Sequence, residues 1–198
     1  MLLTANFLML IGITGNFVTG KSAFMNIMDS LGFDTYEADK IVQDLYKNEE
    51  IIEKIGKEFG STVTLGEIID RDLLRVIVFN DKKKLKKLNS IMHPIVLEKI
   101  KEIEHENKIV FVEVPLLFEA GMEKSFDKII LIKSSYETAK QRSKRRGFTD
   151  IEFEQIRESQ EPDQKKEKKA DWVIDTEGDI SELRKKTKEI AKELEALK

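Results

Sequence analysis

"LMLIGITGNFVTGKSAFMNIMDSLGFDTYEAD", residues 8–39, decides the fold. The apolar run from Phe7 to Thr14 reads as a strand buried on both faces, the kind found inside a parallel sheet. It leads into "GNFVTGKS", where Gly15, Gly20, Lys21 and Ser22 stand at the spacing of a phosphate-binding loop. Two glycines let the backbone of Gly15, Asn16, Phe17, Val18, Thr19 and Gly20 wrap closely around phosphate oxygens. Lys21–Leu31 then reads as a helix closed by Gly32, and its positive end faces the bound anion. In this pattern Lys21 reaches the β- and γ-phosphates and Ser22 holds Mg²⁺. A chance match in a glycine turn is the bland alternative, but the strand before and the helix after supply the context the motif requires.

Further along, Asp34–Tyr36 reads as a short second strand and Ala38–Gly60 as polar helix. A turn falls at Gly66. Helical spacing runs through Leu73, Leu74, Ile77 and Val78 and continues at Leu85 and Leu88. His93-Pro94 reads as the start of another helix, because proline is best tolerated in a first turn. "KIVFVEVPLLF" (108–118), "FDKIILIKSS" (126–135) and "ADWVIDTEG" (170–178) read as three more buried strands. "YETAKQRSKRRGFTDIEFEQIRESQ" is helical with a break at Gly147. The tail carries Ile180, Leu183, Ile190, Leu194 and Leu197 on one stripe. Buried strands alternating with helices define an α/β fold with a five-stranded parallel sheet. The helical stretch from about residue 40 to residue 105 is too long for a crossover and is expected to form a subdomain. The charge run "DQKKEKKAD" (163–171) reads as a solvated face.

Composition narrows the chemistry. The 198 residues include 34 Lys and Arg against 37 Asp and Glu, a net charge of −3, which argues against nucleic acid as the main partner. Cysteine is absent, so a thiolate metal site is excluded, and with only His93 and His105 present a multi-histidine site is not expected. The N-terminal segment lacks a basic leader and a small-residue cleavage site, and no apolar run is long enough to span a bilayer. A cytoplasmic protein without a membrane partner is expected. No Asn-Lys-x-Asp base-reading string occurs, which disfavours a GTPase. A short chain with a phosphate loop, an Asp after the second strand and a late arginine-rich helix fits a small-molecule kinase. The acceptor hydroxyl needs a carboxylate near its proton, and the moving phosphoryl group needs cations around it.

At this level of detail the sequence resembles the dephospho-CoA kinase family over nearly its whole length. The resemblance rests on "GITGNFVTGKS", "YEADKIV" (36–42), "IDRDLLRVIVF" (69–79), "LNSIMHP" (88–94), "VPLLFEAG" (114–121) and "ADWVID" (170–175). It implies an enzyme of coenzyme A biosynthesis that uses ATP and Mg²⁺ to phosphorylate the ribose 3′-hydroxyl of dephospho-CoA. It also implies a nucleotide-binding core (1–38, 106–141 and 166–198), a helical acceptor-binding subdomain (39–105) and a lid (142–165). Such a protein works on small molecules as a monomer or small homo-oligomer.

Roles follow by position. Asp39 matches the family's catalytic aspartate, although by residue type alone it reads equally as a helix N-cap. Arg71 and His93 match positions that contact the acceptor; their bland readings are a surface ion pair and a buried helix start. Leu116, Leu117 and Phe118 match a wall of the acceptor pocket, or else ordinary core. Glu113 stands where a carboxylate holds Mg²⁺-bound water. Glu119 belongs to the same cleft or is a loop charge. Arg142 and Arg146, in "KQRSKRRG", match lid arginines that neutralise the triphosphate; a solvated basic helix is the alternative. The chain departs from the family at Asn16–Thr19, usually richer in Gly and Ser, and at Thr176, where Asn is common. Another nucleoside or nucleoside monophosphate kinase, or a nucleotide-binding module without turnover, remains the competing reading.

Overall fold

The computed structural model describes residues 8–196 except 67, 80, 104, 106 and 107, so Phe7 and Leu197 lie outside the described residues. Along the chain run β1 (Met9–Thr14), α1 (Lys21–Ser30), β2 (Asp34–Glu37), α2 (Ala38–Leu45), α3 (Glu49–Phe59), β3 (Thr64–Leu65), β4 (Ile68–Ile69), α4 (Arg71–Phe79), α5 (Lys82–Glu102), β5 (Ile109–Glu113), β6 (Lys128–Lys133), α6 (Tyr136–Arg145), α7 (Asp150–Glu158), α8 (Asp163–Glu167), β7 (Trp172–Asp175) and α9 (Ile180–Glu195). They divide into two compact units, Glu37–Glu104 and the remainder.

The larger unit is built on a five-stranded parallel sheet ordered β2-β5-β1-β6-β7. β1 is central because nearly every position is apolar and buried, as are those of β5 and β6 on either side. Ile11 pairs with Phe111, and Ile13 with Ile130. On one face Ile11, Ile13, Ile130, Ile132 and Ile174 pack against Phe24 and Met28 of α1 and Leu183, Ile190 and Leu194 of α9. On the other face Gly12 allows a close approach: a Cβ there would stand 2.7 Å from Leu117 Cδ1. The tail stripe is apolar where it meets the sheet, but Ile180, read as part of it, is 60% exposed at the first position of α9. Asp29-Ser30-Leu31-Gly32 spells the Asp-x-x-Gly of a GTPase switch, yet it ends α1, with Gly32 at φ +88° as the terminator.

The smaller unit has its own core, in which Ile51, Ile52 and Ile55 of α3 meet Leu74 and Val78 of α4 and Leu88 and Met92 of α5. The polar stretch 38–60 is two helices, because Asn48 accepts from the Glu50 and Ile51 amides and restarts the chain as α3. A short β3–β4 hairpin, not legible from periodicity, straddles Gly66.

Pro94 does not begin a helix. It lies inside the 21-residue α5, which starts at the Asp81 cap. An interior proline costs about 3 kcal/mol. Leu88, Met92, Val96 and Ile100, spaced by four, are all buried along this helix. At about 1.5–3 kcal/mol each, their burial outweighs the lost hydrogen bond and holds the helix continuous. The charge run 163–171 is not a uniform solvated face either: Lys166, in its middle, is fully buried.

Candidate active site

β1 ends at Thr14 and delivers the chain into a loop whose path only certain residues can follow. Gly15 is the tightest point, since a Cβ there would lie 2.0 Å from the Ile132 carbonyl oxygen. Gly15→Ala is therefore expected to destabilise the protein by about 2–3 kcal/mol and to abolish nucleotide binding, read by thermal melts with and without ATP. Val18 holds φ +57°, a region that β-branched residues rarely occupy. Its side chain is buried with Ala139 and Phe153, and Phe17 packs against the same group, which fixes this conformation. Gly20 continues at φ +103° and opens α1 without a side-chain cap or an acidic first turn. The positive end of α1 is thus left to face an anion. Lys21 is nearly buried, and its Nζ donates to the carbonyls of Gly15 and Asn16, both at 2.9 Å.

Two neighbouring cavities meet at this loop. The first, about 200 Å³, is lined by Thr19, Gly20, Lys21, Ser22, Glu113, Arg146 and Gln160, among others. The second, about 370 Å³, lies beside Gly20, Arg142, Arg145, Arg146, Thr176 and Ile180. Val18, Gly20 and Arg146 line both. A small polar chamber at a helix N-terminus joined to a larger, mostly apolar one matches the two halves of a nucleotide. Arg142, on α6, donates to the Thr176 hydroxyl at 2.9 Å and to its carbonyl at 2.6 Å. Thr176 in turn donates to the Thr19 carbonyl at 2.6 Å. The departure from Asn at this position therefore ties the end of β7 to the back of the loop, through a side chain that also lines the larger cavity. Ser22, exposed on the first turn of α1, and Glu113, at the end of β5, give oxygen donors in the smaller chamber. Among the described residues no group of three or more His, Cys, Asp or Glu could itself hold a metal. One hydroxyl and one carboxylate suit Mg²⁺, which keeps several of its own waters and binds through few protein ligands.

Of the three apolar residues after Pro115, Leu117 and Phe118 are buried, while Leu116 is 39% exposed. Glu119 is no free loop charge: it pairs with Lys166 at 2.7 Å.

Asp39, Arg71 and His93 belong to the smaller unit. Asp39 is exposed in the first turn of α2; the N-cap position is held by Glu37, so capping does not account for Asp39. Arg71 is exposed at the start of α4, which Asp70 caps by accepting from the Leu73 amide. Burial raises the Tyr46 pKa, and the nearby Arg71 cation partly opposes that rise. His93 lies in the middle of α5, not at a helix start, and burial holds its pKa below the ordinary 6.5. The unfolded chain protonates this imidazole first as pH falls. Its contribution to stability is whole above pH 6.5 and is lost as pH drops below that value. His93→Gln is expected to flatten the fall in urea midpoint between about pH 7 and pH 5.5, a window above the carboxylate titrations.

Pattern reasoning missed the residues behind the loop. Gln160 accepts from the Phe17 amide at 2.8 Å, and Asp163 accepts from Asn16 Nδ2 at 2.8 Å. Lys166 donates to Asn16 Oδ1 at 2.7 Å. No spacing rule flags these contacts, because they join positions almost 150 apart in sequence.

A parallel sheet with this loop after its central strand, a cationic helix beside it and a separate helical unit defines a P-loop kinase of small molecules. Comparison with known proteins narrows this further. The dephospho-CoA kinase family model matches residues 9–182, so the chain belongs to the dephospho-CoA kinase family. The dephospho-CoA kinase of Fusobacterium nucleatum subsp. nucleatum is 38% identical over 90% of this chain and 95% of its own length. That of Aquifex aeolicus is 37% identical over 93% and 96%. Among solved structures, dephospho-CoA kinase from Campylobacter jejuni superposes with a TM-score of 0.64 at 32% identity, covering 93% of this chain and 96% of its own. A Thermus thermophilus crystal structure reaches 0.78 at 31%, covering 94% and 98%. Shikimate kinase from Acinetobacter baumannii, 14% identical over 98% and 96% of the two chains with a TM-score of 0.56, shares the fold alone. Among the described residues no helix is long and apolar enough to cross a membrane.

Proposed function

We propose that this protein transfers the γ-phosphoryl group of ATP to the ribose 3′-hydroxyl of dephospho-CoA, giving CoA and ADP. The family match across residues 9–182 carries this reading, and the chambered loop at Gly15–Ser22 supports it. Its partners are then the small molecules ATP and dephospho-CoA.

The loop amides and Lys21 take the triphosphate, and Arg142 and Arg146 line the adjoining cavities from α6 and its end. Arg146 is the better placed for phosphate, because it borders the chamber that contains Lys21. Mg²⁺, held by Ser22 with Glu113 acting through water, would neutralise charge on the β- and γ-oxygens. Residues 142–165 serve as a lid. Gly147, at φ +87° with open space around it, supplies the turn at which the lid bends. The smaller unit, Glu37–Glu104 where the sequence suggested 39–105, serves the acceptor: Asp39 receives or orients the hydroxyl proton, and Arg71 and His93 contact the acceptor's polar groups. His93, its pKa held low, does so as a neutral imidazole at pH 7. Leu116 forms the ligand-facing wall, backed by Leu117 and Phe118.

The test is a coupled ADP-release assay with ATP, Mg²⁺ and dephospho-CoA, run beside AMP, CMP, adenosine and no acceptor. Turnover confined to dephospho-CoA is expected. Turnover on a nucleotide instead would keep the kinase and reject the acceptor; ATP binding with no turnover on any acceptor would reject the enzyme reading.

A further inference from the structure

Lys166 is fully buried, which is costly for an ammonium unless it is paired and hydrogen-bonded. It is both. Nζ donates to Glu119 at 2.7 Å and to Asn16 Oδ1 at 2.7 Å. Glu119 Oε1 also accepts from the Glu161 amide at 2.8 Å. Asn16 passes its other amide atom, Nδ2, to Asp163 at 2.8 Å, and Asp163 faces Arg157 at 3.8 Å. Two cations and two carboxylates thus close around one neutral amide.

The amide belongs to the phosphate loop. The backbone carbonyl of the same Asn16 accepts from Lys21 Nζ at 2.9 Å and from Thr19 Oγ1 at 3.0 Å. Lys166 therefore reaches the loop's own lysine through a single residue. The cluster also joins the segments that wall the smaller chamber: the loop itself, the end of β5 at Glu113 with the following chain that bears Glu119, and the segment bearing Gln160 and then Asp163.

We propose that Lys166 is a positioning residue for ATP, holding Asn16 between Glu119 and Asp163 so that the loop keeps its phosphate-binding shape. It touches no substrate and acts through Asn16. This explains why the loop has Asn at this position, where an amide is needed to accept from Lys166 and donate to Asp163 at once. Substituting Lys166 lets the loop shift, and a displacement of about 1 Å at a reacting group is enough for a hundredfold loss.

The inference rests on the ATP reading above, so ATP binding to the unaltered protein is measured alongside by calorimetry. Lys166→Met keeps the volume, and Lys166→Met with Glu119→Gln also removes the carboxylate left unpaired. The single variant is expected to lose thermal stability and bind ATP at least about tenfold more weakly, with the dephospho-CoA KM changed by no more than about twofold. The double variant is expected to recover its melting temperature, because a buried pair can be replaced by neutral groups at little net cost, yet to keep the ATP defect. If the single variant fails to fold, the double variant carries the same test. Unchanged ATP affinity in either variant, or recovery of affinity together with stability in the double variant, would reduce Lys166 to a structural ion pair and overturn the proposal. Failure of the unaltered protein to bind ATP would instead sink the functional reading, and this inference with it.

Discussion

Lys21→Ala is expected to lower kcat/KM for ATP by about 10³-fold while leaving the fold intact. The ammonium is nearly buried and sits between the Gly15 and Asn16 carbonyls at 2.9 Å. Before ATP arrives it neutralises the inward-facing oxygens of a loop whose shape must be kept ready. On the proposed reading the same charge then faces the β- and γ-phosphates of ATP, where negative charge grows on the bridging oxygen as the bond breaks. Alanine removes both services. The sheet and α1 bury Ile11, Ile13, Phe24 and Met28 independently of that charge, so circular dichroism and melting should change little. Steady-state kinetics with varied ATP are the check. Kinetics close to those of the unaltered protein would overturn the phosphate-loop reading.

Asp39→Asn is the second large effect, with an expected drop in kcat of about 10²-fold or more at nearly unchanged ATP affinity. The exchange is isosteric at an exposed first-turn position whose cap is Glu37, so helix α2 should persist. An amide cannot receive the proton that leaves the 3′-hydroxyl as it attacks phosphorus. On the proposed reading ATP binding draws on loop amides and Lys21 and not on this carboxylate. Calorimetry with ATP and rapid-quench turnover separate the two quantities. Equal turnover in the variant would remove Asp39 from the reaction.

The phosphate loop was legible in the sequence because it is local: Gly15, Gly20, Lys21 and Ser22 lie within eight consecutive positions between a strand and a helix that each bury an apolar face. The sheet was legible for the same reason, since β1, β5 and β6 are short runs with almost no polar residue. Where the reading failed, distant contacts outweighed local signals. Pro94 looked like a helix start because proline disfavours helix interiors, yet the buried row from Leu88 to Ile100 kept α5 in one piece. Lys166 looked solvated because four of its neighbours in 163–171 are charged lysines or glutamate; only the folded chain brings Asn16 and Glu119 to it. Arg142 was legible as one cation of an arginine-rich helix, but its bidentate grip on Thr176 depends on where β7 ends.

The position of the new phosphate distinguishes this reaction from phosphorylation of any other acceptor group. Phosphorus NMR and mass spectrometry of the product formed from ATP, Mg²⁺ and dephospho-CoA test it directly. CoA is the expected product, with one added phosphate monoester on the ribose 3′-hydroxyl and one ADP formed for each. ADP released without CoA, or a phosphate carried at any other position, would contradict it.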